Sequence, residues 1–260
     1  MRLFAVLAAL TLGLSATAQA TDMAAHRALY KLTMDPDRPG EVVAATGSMG
    51  YEVIDACDGW AVRQRLEMTV TNHDGQNIQM VSDYATWEAK DGLSFRFHMK
   101  QTTDTAVTSE TDGEARLDKP GGPGEARYSG AAGAVKPLPA GTLFPMAHTE
   151  AILAAAQQGK RFVAVPLFDG TTDSGAQDSF ITILHSDGPR HENWMPLSPL
   201  GSTRVEISFF DRGPAAVQTP DYQVGMRYWE NGVADNLKMD FGDFVMDGKM
   251  TEFTAQPRRC

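Results

Sequence analysis

Two cysteines, six histidines and one run of carboxylates and hydroxyls are the parts of this 260-residue chain from which a reactive site could be assembled. Cys57 lies in "DACDGW", and Cys260 closes "QPRRC". Neither has the C-x-x-C spacing of a redox motif, and two cysteines alone make a poor metal site. The histidines, His26, His73, His98, His148, His185 and His191, are scattered. In "HTE" His148 and Glu150 stand two apart, and such neighbours on a helix do not share a face, so they make no metal pair. "FDGTTDSGAQDS" at 168–179 invites a calcium reading, but the third position from Asp169 is Thr171 and no glutamate closes the loop. It reads instead as a long polar hairpin loop, because Asp, Gly and Ser are turn formers in their own right. Beyond the first twenty residues there is no G-x-S-x-G elbow, H-E-x-x-H pair, Walker loop or nucleotide-type G-x-G-x-x-G. No catalytic residue, metal ligand or cofactor is therefore expected. The remaining route to an enzyme, such as a hydrolase, is a constellation gathered from distant parts of the chain. Trp60, Trp87, Trp194, Tyr228 and Trp229 could line a cleft, but aromatic residues dominate β cores and read first as core.

The compartment decides what the cysteines do. "MRLFAVLAALTLGLSATAQA" has a basic Arg2, an apolar run from Leu3 to Leu14 and a small-x-small site at Ala18-Gln19-Ala20, the pattern of a signal peptide cleaved after Ala20. The apolar run is too short to span a bilayer, and no later run is long enough. The expected location is a secreted or periplasmic compartment. Such a compartment is oxidising, so a Cys57–Cys260 disulfide is expected, one that staples a tail prone to fraying. In the chain-entropy model a bond closing so long a loop is worth about 5 kcal/mol. The chain carries 33 acidic and 23 basic side chains, a formal net charge of −10, which argues against nucleic acid and anionic membrane surfaces as partners.

The elements that must position these residues are mostly strands. In "WAVRQRLEMTV" Trp60, Val62, Leu66, Met68 and Val70 fall on one face, with Arg63, Arg65, Glu67 and Thr69 on the other. "ALYKLTM" and "LSFRFHM" repeat the scheme, and later runs such as "SFITILH", "TRVEISFF" and "YQVGMRYW" read alike. This period of two marks half-buried antiparallel strands, roughly a dozen or more of them. "NHDGQ", "AKDGL", "ETDGE", "ENGV" and "MDGK" read as the turns between them, and Gly225 and Gly242 as bulges or bends within strands. "NLKMDFGDFVM" reads as one strand and "KMTEFTAQ" as another. The fold class is thus all-β, a long antiparallel many-stranded sheet that is curved and barrel-like, open or closed. One short helix near 145–158 interrupts it, with Thr142 or Phe144 before Pro145 at its start and Gly159 as its stop. The Gly/Pro-rich stretch 119–141 could divide two lobes of a single domain spanning 21–260. A concave apolar sheet face holds either a helix or something hydrophobic from outside. The candidate ligand face, or the lid over it, is Leu143, Phe144, Met146, Ile152 and Leu153.

The signal peptide, "ACDGW" at 56–60, "LPAGTLFPMAHTEAIL" at 138–153 and "RYWENGVADNLKMDFGDFVM" at 227–246 with the terminal cysteine together resemble the EipB family of periplasmic cell-envelope integrity proteins. The resemblance covers essentially the whole chain after the signal peptide. It implies a β-spiral whose halves are joined by a disulfide, with Cys57 and Cys260 the matching pair, and a role in envelope integrity under stress without established catalysis. The partner expected on this reading is an envelope lipid, a lipoprotein or a periplasmic protein, bound by a monomer.

Overall fold

The computed structural model describes residues 23–37, 42–129, 133–212, 219–257 and 260; the signal segment 1–20 lies outside them. Among these described residues fourteen strands form one sheet around a single α-helix. The first eight are β1 (His26–Met34), β2 (Val42–Asp55), β3 (Gly59–Asn72), β4 (Asn77–Ala89), β5 (Ser94–Thr103), β6 (Ala106–Leu117), β7 (Gly124–Tyr128) and β8 (Val135–Leu138). After α1 (Pro145–Gln157) come β9 (Phe162–Leu167), β10 (Gln177–Asp187), β11 (Ser202–Phe210), β12 (Tyr222–Trp229), β13 (Ala234–Asp240) and β14 (Val245–Ala255).

Both halves are meanders. The order across the sheet is β8-β7-β6-β5-β4-β3-β2-β1-β14-β13-β12-β11-β10-β9, with every ladder antiparallel. The first and last strands therefore meet in the middle, and β8 and β9 form the two ends. Those ends approach without forming a ladder. One parallel bridge joins Leu143 to Leu167, where the Leu143 N–H donates to the Pro166 carbonyl at 2.9 Å and the Phe168 N–H donates to the Leu143 carbonyl at 3.0 Å. The sheet is an open spiral rather than a closed barrel.

Alternation places the core as expected. Val62, Met68 and Val70 of β3 are buried while Arg63 and Arg65 are exposed. "NHDGQ", "AKDGL" and "ENGV" are turns between strands. Two other Asp-Gly pairs are not. Gly113 of "ETDGE" lies inside β6, where a Cβ would collide with the Arg127 carbonyl oxygen of the neighbouring strand. Gly248 of "MDGK" lies inside β14, where a Cβ would stand 2.9 Å from Leu237 and 3.1 Å from Leu32. At both positions glycine admits a close approach of strands, a use that shares its composition with a turn. Conversely, "NLKMDFGDFVM" is two strands. Phe241 and Phe244 stack 5.0 Å apart across a tight turn at Gly242 (φ 88), so apolar residues continue through the break and hide it. Gly225 does adjoin a bulge, between Gly225 and Arg227 on β12. Residues 119–141 include β7 and β8, which continue the same sheet; strands this short are too brief for alternation to show.

The buried side chains fall into two clusters. The larger gathers β1–β3 and β10–β14 around the helix residues Met146, Ile152, Leu153 and Ala155. The smaller is aromatic, with Phe95, Phe97, Tyr128, Phe144 and Phe168.

Candidate functional site

The interior of the spiral is where the expected ligand face lies. Phe144 ends an extended segment at φ −90° and ψ 167°, and Pro145 opens α1 at the first-turn position that tolerates a missing N–H. The helix has no cap from its own side chains. Glu88 of β4 supplies one from the sheet: one carboxylate oxygen accepts the Met146 N–H at 2.7 Å and the other accepts the Ala147 N–H at 2.8 Å. Only 2% of Glu88 is exposed. Burial raises its carboxyl to about 7, against the pull of the two amides and with a further push from Glu150. At the other end Gly159, at φ 70°, donates its N–H to the Ala156 carbonyl and stops the helix where the sequence places the stop.

His148 is buried on this helix and its Nε2 lies 2.9 Å from the Ser179 hydroxyl. The Ser179 O–H donates to the Val165 carbonyl at 2.8 Å. The imidazole N–H therefore donates to the serine oxygen, and burial lowers the ring to about 4, keeping it neutral. A serine whose proton is already committed to a carbonyl is not an activated nucleophile. Geometrically this is a satisfied buried pair.

The aromatic cluster is plugged by the connection between β9 and β10. The carboxylate-rich run is a hairpin loop, as expected, yet it turns inward. The Tyr84 hydroxyl donates to the Asp169 carbonyl at 2.5 Å, Thr111 to the Gly170 carbonyl at 2.6 Å and Tyr128 to the Thr172 carbonyl at 2.9 Å. A Cβ at Gly170 would collide with the Phe97 ring. Phe168 meets Phe97 edge-on at 5.4 Å, and Phe144 stacks on Phe95 at 5.0 Å. Burial raises the Asp169 carboxyl, with Thr171 partly offsetting it.

The five expected ligand-face residues are thereby divided. Phe144, at 0% exposure, belongs to the aromatic cluster, while Met146, Ile152 and Leu153 belong to the helix cluster. Leu143 sits half-buried at the seam. The four buried ones, Phe144, Met146, Ile152 and Leu153, pack against other side chains of the protein.

Cys57 and Cys260 are bonded, with Cα atoms 5.5 Å apart. Cys57 occupies the turn between β2 and β3 at φ 71° and donates its N–H to Asp55, whose carboxylate also takes Lys90 at 2.7 Å. Lys90 in turn lies over Trp60 at 4.9 Å. The bond ties the chain beyond β14 to a hairpin two strands away. Sequence reasoning passed over Glu88 and the Arg227–Asp235 pair, in which a buried guanidinium meets the carboxylate at 2.6 and 2.7 Å, reaches Glu192 at 3.1 Å and stacks on Trp229. For Glu88 a signal existed: the period of two in "ATWEA" puts it on the same face as Thr86, the buried one. Among the described residues no group of three or more His, Cys, Asp or Glu is placed to hold a metal ion, and no helix is long and apolar enough to cross a membrane.

The EipB-like family model matches residues 17–257. The cell envelope integrity protein EipB of Brucella abortus is 29% identical over 248 residues, which is 92% of this chain and 87% of that protein. A crystal structure of a beta-barrel-like protein of the domain of unknown function DUF1849, also from Brucella abortus, superposes with a TM-score of 0.80 at 26% identity, over 92% of this chain and 100% of that one.

Proposed function

This chain belongs to the EipB-like family, and from that premise we propose that it is a non-enzymatic periplasmic protein that supports cell-envelope integrity by binding an envelope component. The bound group is the apolar part of a lipid or lipoprotein, α1 is the lid over the concave face, and Glu88 is the latch that holds it. The observation carrying this reading is that one helix, capped by a single buried carboxylate of the sheet, covers an apolar interior drawn from both halves of the spiral. The helix keeps its own backbone hydrogen bonds wherever it lies, so it can leave as a unit. The oxidised Cys57–Cys260 pair supports an oxidising compartment, and the engaged Ser179 hydroxyl supports a non-enzymatic role. The test is native mass spectrometry of the protein taken gently from its own periplasm, repeated after solvent extraction. A lipid or lipopeptide that co-purifies, and is retained less well by Glu88→Gln, is the expected result. A bare chain that crosslinks in cells to one dominant protein would replace the lipid with a protein partner.

A further inference from the structure

The outer face of the first half carries a feature that the lid reading does not use. Two adjoining hollows, of about 470 Å³ and about 560 Å³, share Arg63, Ala85 and His98. The register explains why a depression forms there. Across the strands Arg27 faces Glu52, Glu52 faces Arg63, Arg63 faces Ala85, Ala85 faces His98 and His98 faces Asp112. Within this row of long side chains Ala85 is the short one, so the sheet is open above it.

The rim of that opening is rich in guanidinium although the chain is acidic overall. Arg65 is held by Asp83 at 2.7 Å and Glu67 at 2.8 Å, whereas Arg63 only approaches Glu52, at 3.8 Å. The Arg96 guanidinium carbon lies over the Trp87 ring, 4.5 Å from its centroid, and among the described residues neither Arg96 nor Arg27 forms a carboxylate ion pair. Stacking orients a guanidinium without using its N–H donors. Arg63 and Arg96 thus flank the hollow over Ala85 with donors to spare, and the planar fork of each matches an oxyanion.

The neighbouring acids narrow the ligand. Asp83, Asp112 and Glu114 stand among the arginines, so a densely charged polyanion would meet repulsion here. A chain with one carboxylate per unit and hydroxyls between meets less of it, because the charges are spaced, the acids accept hydroxyl protons, and Ala61 and Trp87 offer an apolar floor. From β1 to β6 the row crosses five inter-strand steps of about 4.8 Å, roughly 24 Å in all, enough for several sugar units. We propose that this groove binds a carboxylate-bearing saccharide chain, with one carboxylate seated between Arg63 and Arg96 above Ala85.

Calorimetric titration of the full exported protein with tetragalacturonate tests it, with maltotetraose as the neutral counterpart and inorganic phosphate as the competing anion. Saturable binding of tetragalacturonate is expected, weakened about tenfold or more by Ala85→Glu and several-fold by Arg63→Ala. Both positions are exposed, and an unchanged melting curve shows that each variant is folded. Absence of saturable binding, equal binding of maltotetraose, full displacement by equimolar phosphate, or indifference to both substitutions would each overturn the proposal. None of these outcomes depends on the helix moving, so this site stands or falls apart from the lid.

Discussion

Two pieces of chain fill the spiral, and they meet the same requirement by opposite means. Buried peptide groups must be hydrogen-bonded. The helix α1 meets that need internally and asks the sheet for one cap, from Glu88 to the amides of Met146 and Ala147. The loop between β9 and β10 has no ladder of its own, so Tyr84, Thr111 and Tyr128 must each satisfy one of its carbonyls from a different strand. The helix backbone is thus tied to the sheet through one residue, with His148 adding a side-chain tie to Ser179, and the loop backbone through three. Of the two plugs, the one with regular backbone is the one that can be removed without stranding peptide groups of its own interior. Mobility, where function needs it, belongs to the helix.

Four measurements sharpen or break that contrast. The largest effect is expected at the loop: Phe168→Ala empties the aromatic cluster and should cost about 4 kcal/mol of global stability in urea titration. A loss below about 1 kcal/mol would mean that the loop is no plug. Next is the pH dependence of the helix anchors. Glu88, raised to about 7, binds more protons folded than unfolded; its contribution is full below about pH 4.5 and is lost as pH rises towards 7. His148, lowered to about 4, has the opposite sign: its contribution is full above about pH 6.5 and is lost as pH falls towards 4. Between pH 7 and pH 4.5 the two oppose each other. Relative to wild type, acidification should therefore destabilise Glu88→Gln and stabilise His148→Gln, each by about 3 kcal/mol. Glu150 and Asp169, raised by burial, and His26, lowered by it, remain in all three proteins and drop out of the comparison. Urea midpoints at the two pH values read the effect, and identical slopes in all three proteins would dismiss the assignment.

Third, Glu88→Ala at neutral pH should cost about 2 kcal/mol, because two helix amides lose their acceptor. Hydrogen exchange should speed up across 145–157 while the β3 and β4 amides stay protected. Equal acceleration in the sheet would show that the helix does not move alone. The smallest effect is Tyr84→Phe, about 1 kcal/mol for one hydroxyl removed from one carbonyl. Because Thr111 and Tyr128 still hold the loop, exchange around 168–176 should change little.

Much of this was readable from residue order. Alternation in "WAVRQRLEMTV" sorts buried from exposed positions along β3, Pro145 marks where the helix begins, and the export expected from the first twenty residues predicts the disulfide. The misreadings share a cause. Asp-Gly in "ETDGE" and "MDGK" has turn chemistry, but the reason for glycine there is a neighbouring strand or side chain distant in sequence. Phe241 and Phe244 conceal a turn because they pack on each other across it. The polar run at 168–179 gives no hint that hydroxyls from β4, β6 and β7 will draw it inward, since those partners lie 44 to 85 positions away. Glu88 stood on the buried face by periodicity, but what it caps could not be named before the helix was in place.

The position of the β1–β14 ladder has a consequence for how the protein is made. Every other ladder joins strands adjacent in the chain, so each half can form from local hairpins, and such contacts close quickly. The central ladder instead pairs His26 with Ala255 and can begin only when β14 has been synthesised. Until then β1 is an open edge with unpaired amides and carbonyls, a template for pairing with other chains. The Cys57–Cys260 bond spans the same junction, so its formation reports that the halves have met. In pulse-chase labelling, oxidation of this pair should be the last conformational event of maturation, and the interval before it is when the chain is most in need of a chaperone.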